Sequence, residues 1–145
     1  MMSSLMLAAL LAAQPAPTAT TPLDVLDIVR YNAALADEVL MHHVVELTGP
    51  VTEVYRDGMG GYIARLDASI SDVAWRGRLE VHCHFPRPAR IALASIKPGT
   101  AVTIRGIPRH IKDHLHWPTD ASVRIDVKEC EMVVRSEELK PPAEN

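Results

Sequence analysis

Three sets of residues in this chain could do chemistry: two cysteines, two His-x-His pairs and a run of basic side chains. Cys83 and Cys130 are its two thiols. A thiol can serve as a nucleophile, a metal ligand or half of a disulfide. Cys83 lies inside Arg78-Leu79-Glu80-Val81-His82-Cys83-His84-Phe85. Strict alternation there puts Leu79, Val81, Cys83 and Phe85 on one face of a strand, and Glu80, His82 and His84 on the other. The two imidazoles therefore point away from the thiol, and a catalytic cysteine is not expected. His82 with His84, and His114 with His116, are spaced so that two imidazoles on a strand could converge on zinc or copper. No carboxylate or cysteine completes either pair at a fixed spacing. They are weak metal candidates only, and neither a metal nor a cofactor is expected. His42-His43, at the end of the first helix, reads as a cation-capable pair at the negative helix terminus.

Between Arg76 and Lys112 stand eight Lys or Arg residues against one acid, Glu80. Together with neighbouring positions they mark one candidate ligand-binding face: Arg65, Arg78, His82, His84, Arg105, Arg109, Lys112 and Trp117. Single-stranded nucleic acid asks for such cations plus exposed aromatics for stacking. Aromatics are scarce, at 4% of the chain. Trp75, Trp117, Tyr55 and Tyr62 are the candidates. The net charge of −3 and pI near 6.1 also weigh against a general binder of nucleic acid or anionic membranes. Enzymatic readings find less support. Gly58-Met59-Gly60-Gly61 precedes a strand, so it is a hairpin turn and not a phosphate loop. No serine has a credible base, and no spaced pair of carboxylates marks a cleft.

The elements that must position these residues form one domain, since the chain has 145 residues and 48% hydrophobic content. Met1 to Ala13 carries an apolar run from Leu5 that is too short to span a membrane and has the length of a signal-peptide core. No Lys or Arg precedes it, which argues against export. No cysteine follows it as a lipid attachment point. Residues 1–21 are read as signal peptide and linker, residues 22–134 as the folded domain, and residues 135–145 as a polar, disordered tail. The mature protein is then periplasmic or secreted with no transmembrane segment, and a cytoplasmic chain is the alternative.

Thr21-Pro22-Leu23-Asp24 is a good helix start. Leu26, Val29, Ala33, Ala36 and Leu40 give one helix over Leu23 to Leu40 a narrow apolar stripe. A first strand runs from Val44 to Tyr55, bent at Gly49-Pro50. A second covers Tyr62 to Asp67, and a long connection, Ala68 to Gly77, leads to the Arg78–Phe85 strand. Ala89 to Ile96 is a short helix with Ile91, Leu93 and Ile96 packing down. A fourth strand, Ala101 to Ile107, is followed by a histidine-rich loop, Pro108 to Asp120. The last strand, Ser122 to Val134, changes phase at Lys128-Glu129, which predicts a bulge. An all-β chain of five strands with a helix between the third and fourth is the arrangement of the OB-fold barrel.

The residues themselves point the same way. Tyr31-Asn32, Ala36-Asp37, Val45-x-Leu47-Thr48-Gly49-x-Val51, Tyr62-Ile63-x-x-Leu66, Val81-x-Cys83-x-Phe85, Lys97-Pro98-Gly99-x-x-Val102-x-Ile104-x-Gly106 and Glu129-Cys130-x-Met132-Val133 together resemble the tRNA-anti-like OB-fold family. The resemblance spans about Ile28 to Val134 and implies an OB barrel, often exported, of unestablished ligand. In such a barrel the third and fifth strands are neighbours, so Cys83 and Cys130, both on the core side, can meet. If exported they form a disulfide closing a loop of about 47 residues, worth roughly 3–4 kcal/mol on the chain-entropy model. Otherwise they are two buried free thiols. The expected function is an exported, non-enzymatic binding module for a protein, peptide or glycan. The alternatives are a single-stranded nucleic-acid-binding module and a metal binder using the His-x-His pairs.

Overall fold

The computed structural model describes residues 18–71, 76–116 and 120–133. A three-residue strand β1 (Thr18–Thr20) leads into helices α1 (Pro22–Tyr31) and α2 (Ala33–Leu40). Then come β2 (Val45–Arg56), β3 (Tyr62–Ser71) and β4 (Arg76–Phe85). A 3-10 turn (Arg87–Ala89) and the short α3 (Arg90–Ala94) connect to the long hairpin of β5 (Ala101–His116) and β6 (Asp120–Met132). The strands close in the order β2-β3-β4-β6-β5 and back to β2, where Val45–Pro50 pairs with Ala101–Gly106. Every contact around the ring is antiparallel except β4 with β6. This is the five-stranded OB order that the sequence predicts. Leu26, Leu66, Leu79, Ile104, Val81 and Cys83 are among the side chains fully buried inside it. The core is aliphatic, as the composition requires.

The helix expected over Leu23 to Leu40 is two helices. Asn32 is extended (φ −160°, ψ 93°), and its side-chain carbonyl accepts the Leu35 N–H at 3.0 Å. That short amide offers the backbone an alternative to a continuous helix and caps the second one. The break also turns the apolar stripe. Val25, Leu26, Val29, Ala36 and Leu40 are buried, while Ala33 is exposed. Thr21 caps α1 as expected, its Oγ1 accepting from the Asp24 N–H at 3.2 Å.

Other expectations need correcting where pairing partners lie far off in sequence. The presumed linker ends in β1, which runs parallel to Val45–Leu47 of β2. β3 pairs with β2 only from Val51 onward, so that stretch of edge would otherwise keep unpaired backbone groups. The long connection from Ala68 to Gly77 is mostly ladder, since β3 continues to Ser71 and β4 starts at Arg76. The histidine-rich loop is mostly strand as well. β5 runs on to His116, paired with β6 as far as Asp120. In α3 only Leu93 is buried, and Ile91 is 81% exposed, because a single turn cannot turn both toward the barrel.

Both expected irregularities are present. The register of β2 slips between Val51 and Glu53, just past Gly49-Pro50, and brings Val54 back toward the core. A β-carbon on Gly49 would lie 3.2 Å from Pro22 Cδ, so glycine lets the start of α1 close on the barrel. In β6, Glu129 takes a left-handed conformation (φ 56°) inside a bulge that returns Cys130 to the inner face.

Candidate functional site

On the outer face, side chains from five strands form rows. Glu53, Arg65, His82, Asp126 and His110 occupy successive register positions on β2, β3, β4, β6 and β5. Asp67, Glu80, Arg124 and Lys112 form the next row. Within them charges are matched. Arg65 Nη1 lies 2.8 Å from Glu53 Oε1, and its Nε lies 3.1 Å from Asp67 Oδ1. Arg124 Nη2 and His84 Nε2 both donate to Asp126 Oδ1, each at 3.2 Å. Burial pushes the Asp126 carboxyl up, but these two donors outweigh it and hold it below its ordinary range.

His82 is on the outward face, as its parity predicts, yet it is only 5% exposed. Tyr55 of β2 covers it, ring edge to ring face at 6.2 Å between centroids. His82 Nε2 donates to Glu80 Oε2 at 3.2 Å and holds that carboxyl below its usual range. At its other nitrogen, Nδ1, the ring shares a hydrogen bond of 2.7 Å with the Tyr55 hydroxyl. Burial pushes the Tyr55 phenol above its ordinary pKa.

The structure does not gather the eight predicted face residues on one surface. Arg65, His82 and His84 share the compensated network. Arg78 lies opposite Ser69 and Ser122, and Lys112 opposite Arg124, at its flank. Arg105 is on the β2–β5–β6 side, bonded to Glu46 Oε1 at 2.7 Å and to Glu131 Oε1 at 3.4 Å. Arg109 sits at a bulge in β5, its Nη1 donating to His42 Nδ1 at 3.1 Å. Trp117 and Trp75 lie outside the described residues. A linear run of basic residues winds around a closed barrel, which is why it cannot stay on one face. Of the weak metal candidates, His82 and His84 have their ring nitrogens directed at different partners. The His114 and His116 side chains lie outside the described residues. Among the described residues no three His, Cys, Asp or Glu side chains converge to hold a metal ion.

A different site is built at the β2–β3 turn. Asp57 Oδ1 accepts the N–H groups of Met59 (2.7 Å) and Gly61 (2.9 Å), and these bonds lower its pKa. Gly61 is required, since a β-carbon would strike the Phe85 carbonyl. The turn packs beside α3 and leaves a cleft of about 370 Å³ whose lining includes Tyr55, Arg56, Tyr62, Arg90 and Leu93. A second cleft of about 250 Å³ shares Arg56, Tyr62 and Arg90 and adds Arg87 and Asp57, whose Oδ1 is taken up by the turn's own N–H groups. Among the described residues no acid forms an ion pair with Arg56, Arg87 or Arg90. Sequence reasoning missed this site. Its traces were Tyr55-Arg56 and Tyr62 bracketing the turn, and Arg87 and Arg90 one helical turn apart after Pro86.

No protein-family model and no curated protein matches the chain. Solved structures do. A "putative nucleic acid-binding lipoprotein" from Klebsiella pneumoniae superposes with a TM-score of 0.53 at 16% identity, covering 83% of this chain and 100% of that one. The fold is an OB barrel. A small single-stranded DNA-binding protein from Streptomyces coelicolor also matches, with a TM-score of 0.38, 17% identity and coverage of 63% and 94%. Among the described residues no helix is long and apolar enough to cross a membrane.

Proposed function

We propose that this chain is a non-enzymatic OB module that binds single-stranded nucleic acid, with the Arg56–Arg87–Arg90 cleft as its phosphate site. The observation that carries the reading is three arginines without acid partners around two tyrosines. Guanidinium groups pair bidentately with phosphate, and the exposed Tyr55 ring can accept a stacked base at about 1–3 kcal/mol, while Tyr62 is partly buried against the core. On the β3–β4 face, by contrast, Arg65 and Arg124 already hold carboxylates. The likeness in fold to the "putative nucleic acid-binding lipoprotein" of Klebsiella supports the same direction, as does the resemblance to tRNA-anti-like OB proteins. The lipoprotein character of the Klebsiella protein, with the apolar run at the N-terminus of this chain, supports export.

The test is fluorescence anisotropy of labelled single-stranded DNA and RNA across a range of salt. Three phosphate contacts at about −0.7 each give a log–log slope of about −2. Replacing Arg56, Arg87 or Arg90 by alanine weakens binding and flattens the slope by about 0.7 per residue. No binding at low salt, or binding indifferent to the triple substitution, overturns the reading. A second reading, an exported module for a protein, peptide or glycan, draws on the exposed apolar side chains Tyr31, Leu35 and Val39 of the helix pair. It takes over if oligonucleotides do not bind.

A further inference from the structure

Cys83 and Cys130 are two free, buried thiols, and the function proposed above uses neither. They come from strands that pair in parallel, and the register partner of Cys83 is Val127. Simple alternation from Val127 would point residue 129 inward and Cys130 outward. Two local features, a bulge and a left-handed residue, reverse this. The β6 bulge adds one residue, Glu129 adopts a left-handed backbone that a non-glycine residue takes only under strain, and Cys130 returns to the core. The space it enters exists because residue 106 of β5 is glycine. A β-carbon there would lie 2.8 Å from Cys130 Sγ and 2.6 Å from Val127 Cγ1. The outcome is that Cys130 Sγ donates to the carbonyl of Val127 at 3.3 Å, and Val127 is the register partner of Cys83, so the two buried thiols enter the same part of the core.

We infer that Cys83 and Cys130 are a redox pair that closes into one intramolecular disulfide within the native barrel. The bond would tie β4 to the end of β6 beside Gly106 of β5, close to the seam where β5 returns to β2. The oxidant is a small-molecule disulfide such as oxidised glutathione. One cysteine thiolate attacks it, forms a mixed disulfide and releases one glutathione thiolate. The second cysteine attacks the protein-side sulfur and releases the other. Two protein thiols thus lose two protons and two electrons, and one glutathione disulfide becomes two thiols. Contact with Cys130, reinforced by burial, holds the Cys83 thiol well above its ordinary pKa, so exchange in the folded protein is slow. Closure accompanies folding or local opening, and the bond once formed is shielded from reductant.

The full chain is unfolded in reductant and refolded at several ratios of reduced to oxidised glutathione. It is then quenched with an alkylating agent in denaturant and its intact mass measured. The expected product is a monomer lighter by two hydrogens that takes up no label, with a Tm about 10 °C above the reduced form. Cys83→Ala and Cys130→Ala each abolish the mass loss and the Tm difference between oxidising and reducing conditions. Circular dichroism shows whether each variant is folded. Where one is not, rapid alkylation of the unoxidised wild type in denaturant, against protection of the oxidised form, gives the same answer. Two labelled cysteines at every ratio, glutathione adducts without closure, or disulfide-linked dimers alone each overturn the inference. None of these outcomes depends on nucleic-acid binding.

Discussion

Asp126 sits where the outer face is most tightly wired, taking hydrogen bonds from Arg124 and His84 on one carboxylate oxygen. Its depressed pKa has a definite consequence. A carboxylate held low in the folded state contributes stability above the unfolded-chain value near pH 4, and loses it as pH falls through the folded value. Between pH 5 and pH 3 the Tm of the wild type should therefore drop further than that of Asp126→Asn. Thermal melts by circular dichroism at several pH values check this, and parallel pH dependences would refute it. At this scale the sequence was half legible. Alternation placed Glu80, His82 and His84 on the outer face correctly. The burial of His82 was not readable, because its cover, Tyr55, lies 27 residues away and meets it only once three strands have paired.

Strands of this barrel were recognised by period, but their ends were not. The β3–β4 and β5–β6 hairpins continue past the points where apolar alternation fades, since a ladder extends as long as backbone groups find partners. Polar residues such as Ser69, Lys112 and His114 therefore read as loop and fold as strand. The two helices were lost in one for the opposite reason, a single asparagine outweighing a continuous apolar stripe. The phase change at Lys128-Glu129 was legible because a bulge shifts the pattern itself. The counterpart of that bulge is Gly106, and it offers a sharp check. A methyl group in Gly106→Ala would meet Val127, Cys130 and the Lys128 carbonyl within 3.0 Å. Overpacking of this kind costs about 1–3 kcal/mol, to be read from the urea unfolding midpoint. An unchanged midpoint would show that β5 and β6 separate more easily than their pairing implies.

For the molecule as a whole, the net charge of −3 and the arginine cleft act in opposite directions. The overall field repels a polyanion and the cleft attracts it, so contact is local and short-ranged. The cleft escaped sequence reading because its arginines and tyrosines come from two separate segments joined only by the fold. Closure of the ring is equally a whole-chain property. β6 is the common neighbour of β4 and β5. A chain ending at residue 119 should show no cooperative thermal transition, whereas the full chain melts in one step. A sharp melt of the truncated chain would show that four strands suffice.

The parallel pairing of β4 with β6 has a further consequence, for the timing of folding. It joins Arg76–Cys83 to Asp120–Val127, and the second of these segments is made long after the first. Pairings between such distant segments make all-β domains fold in about milliseconds to seconds. While the chain is being synthesised β4 and β5 have no partner between them, and both present open, apolar-backed edges. Elongation and folding are thus separate events for this protein. The ring cannot close between β4 and β5 until Asp120–Met132 has been made.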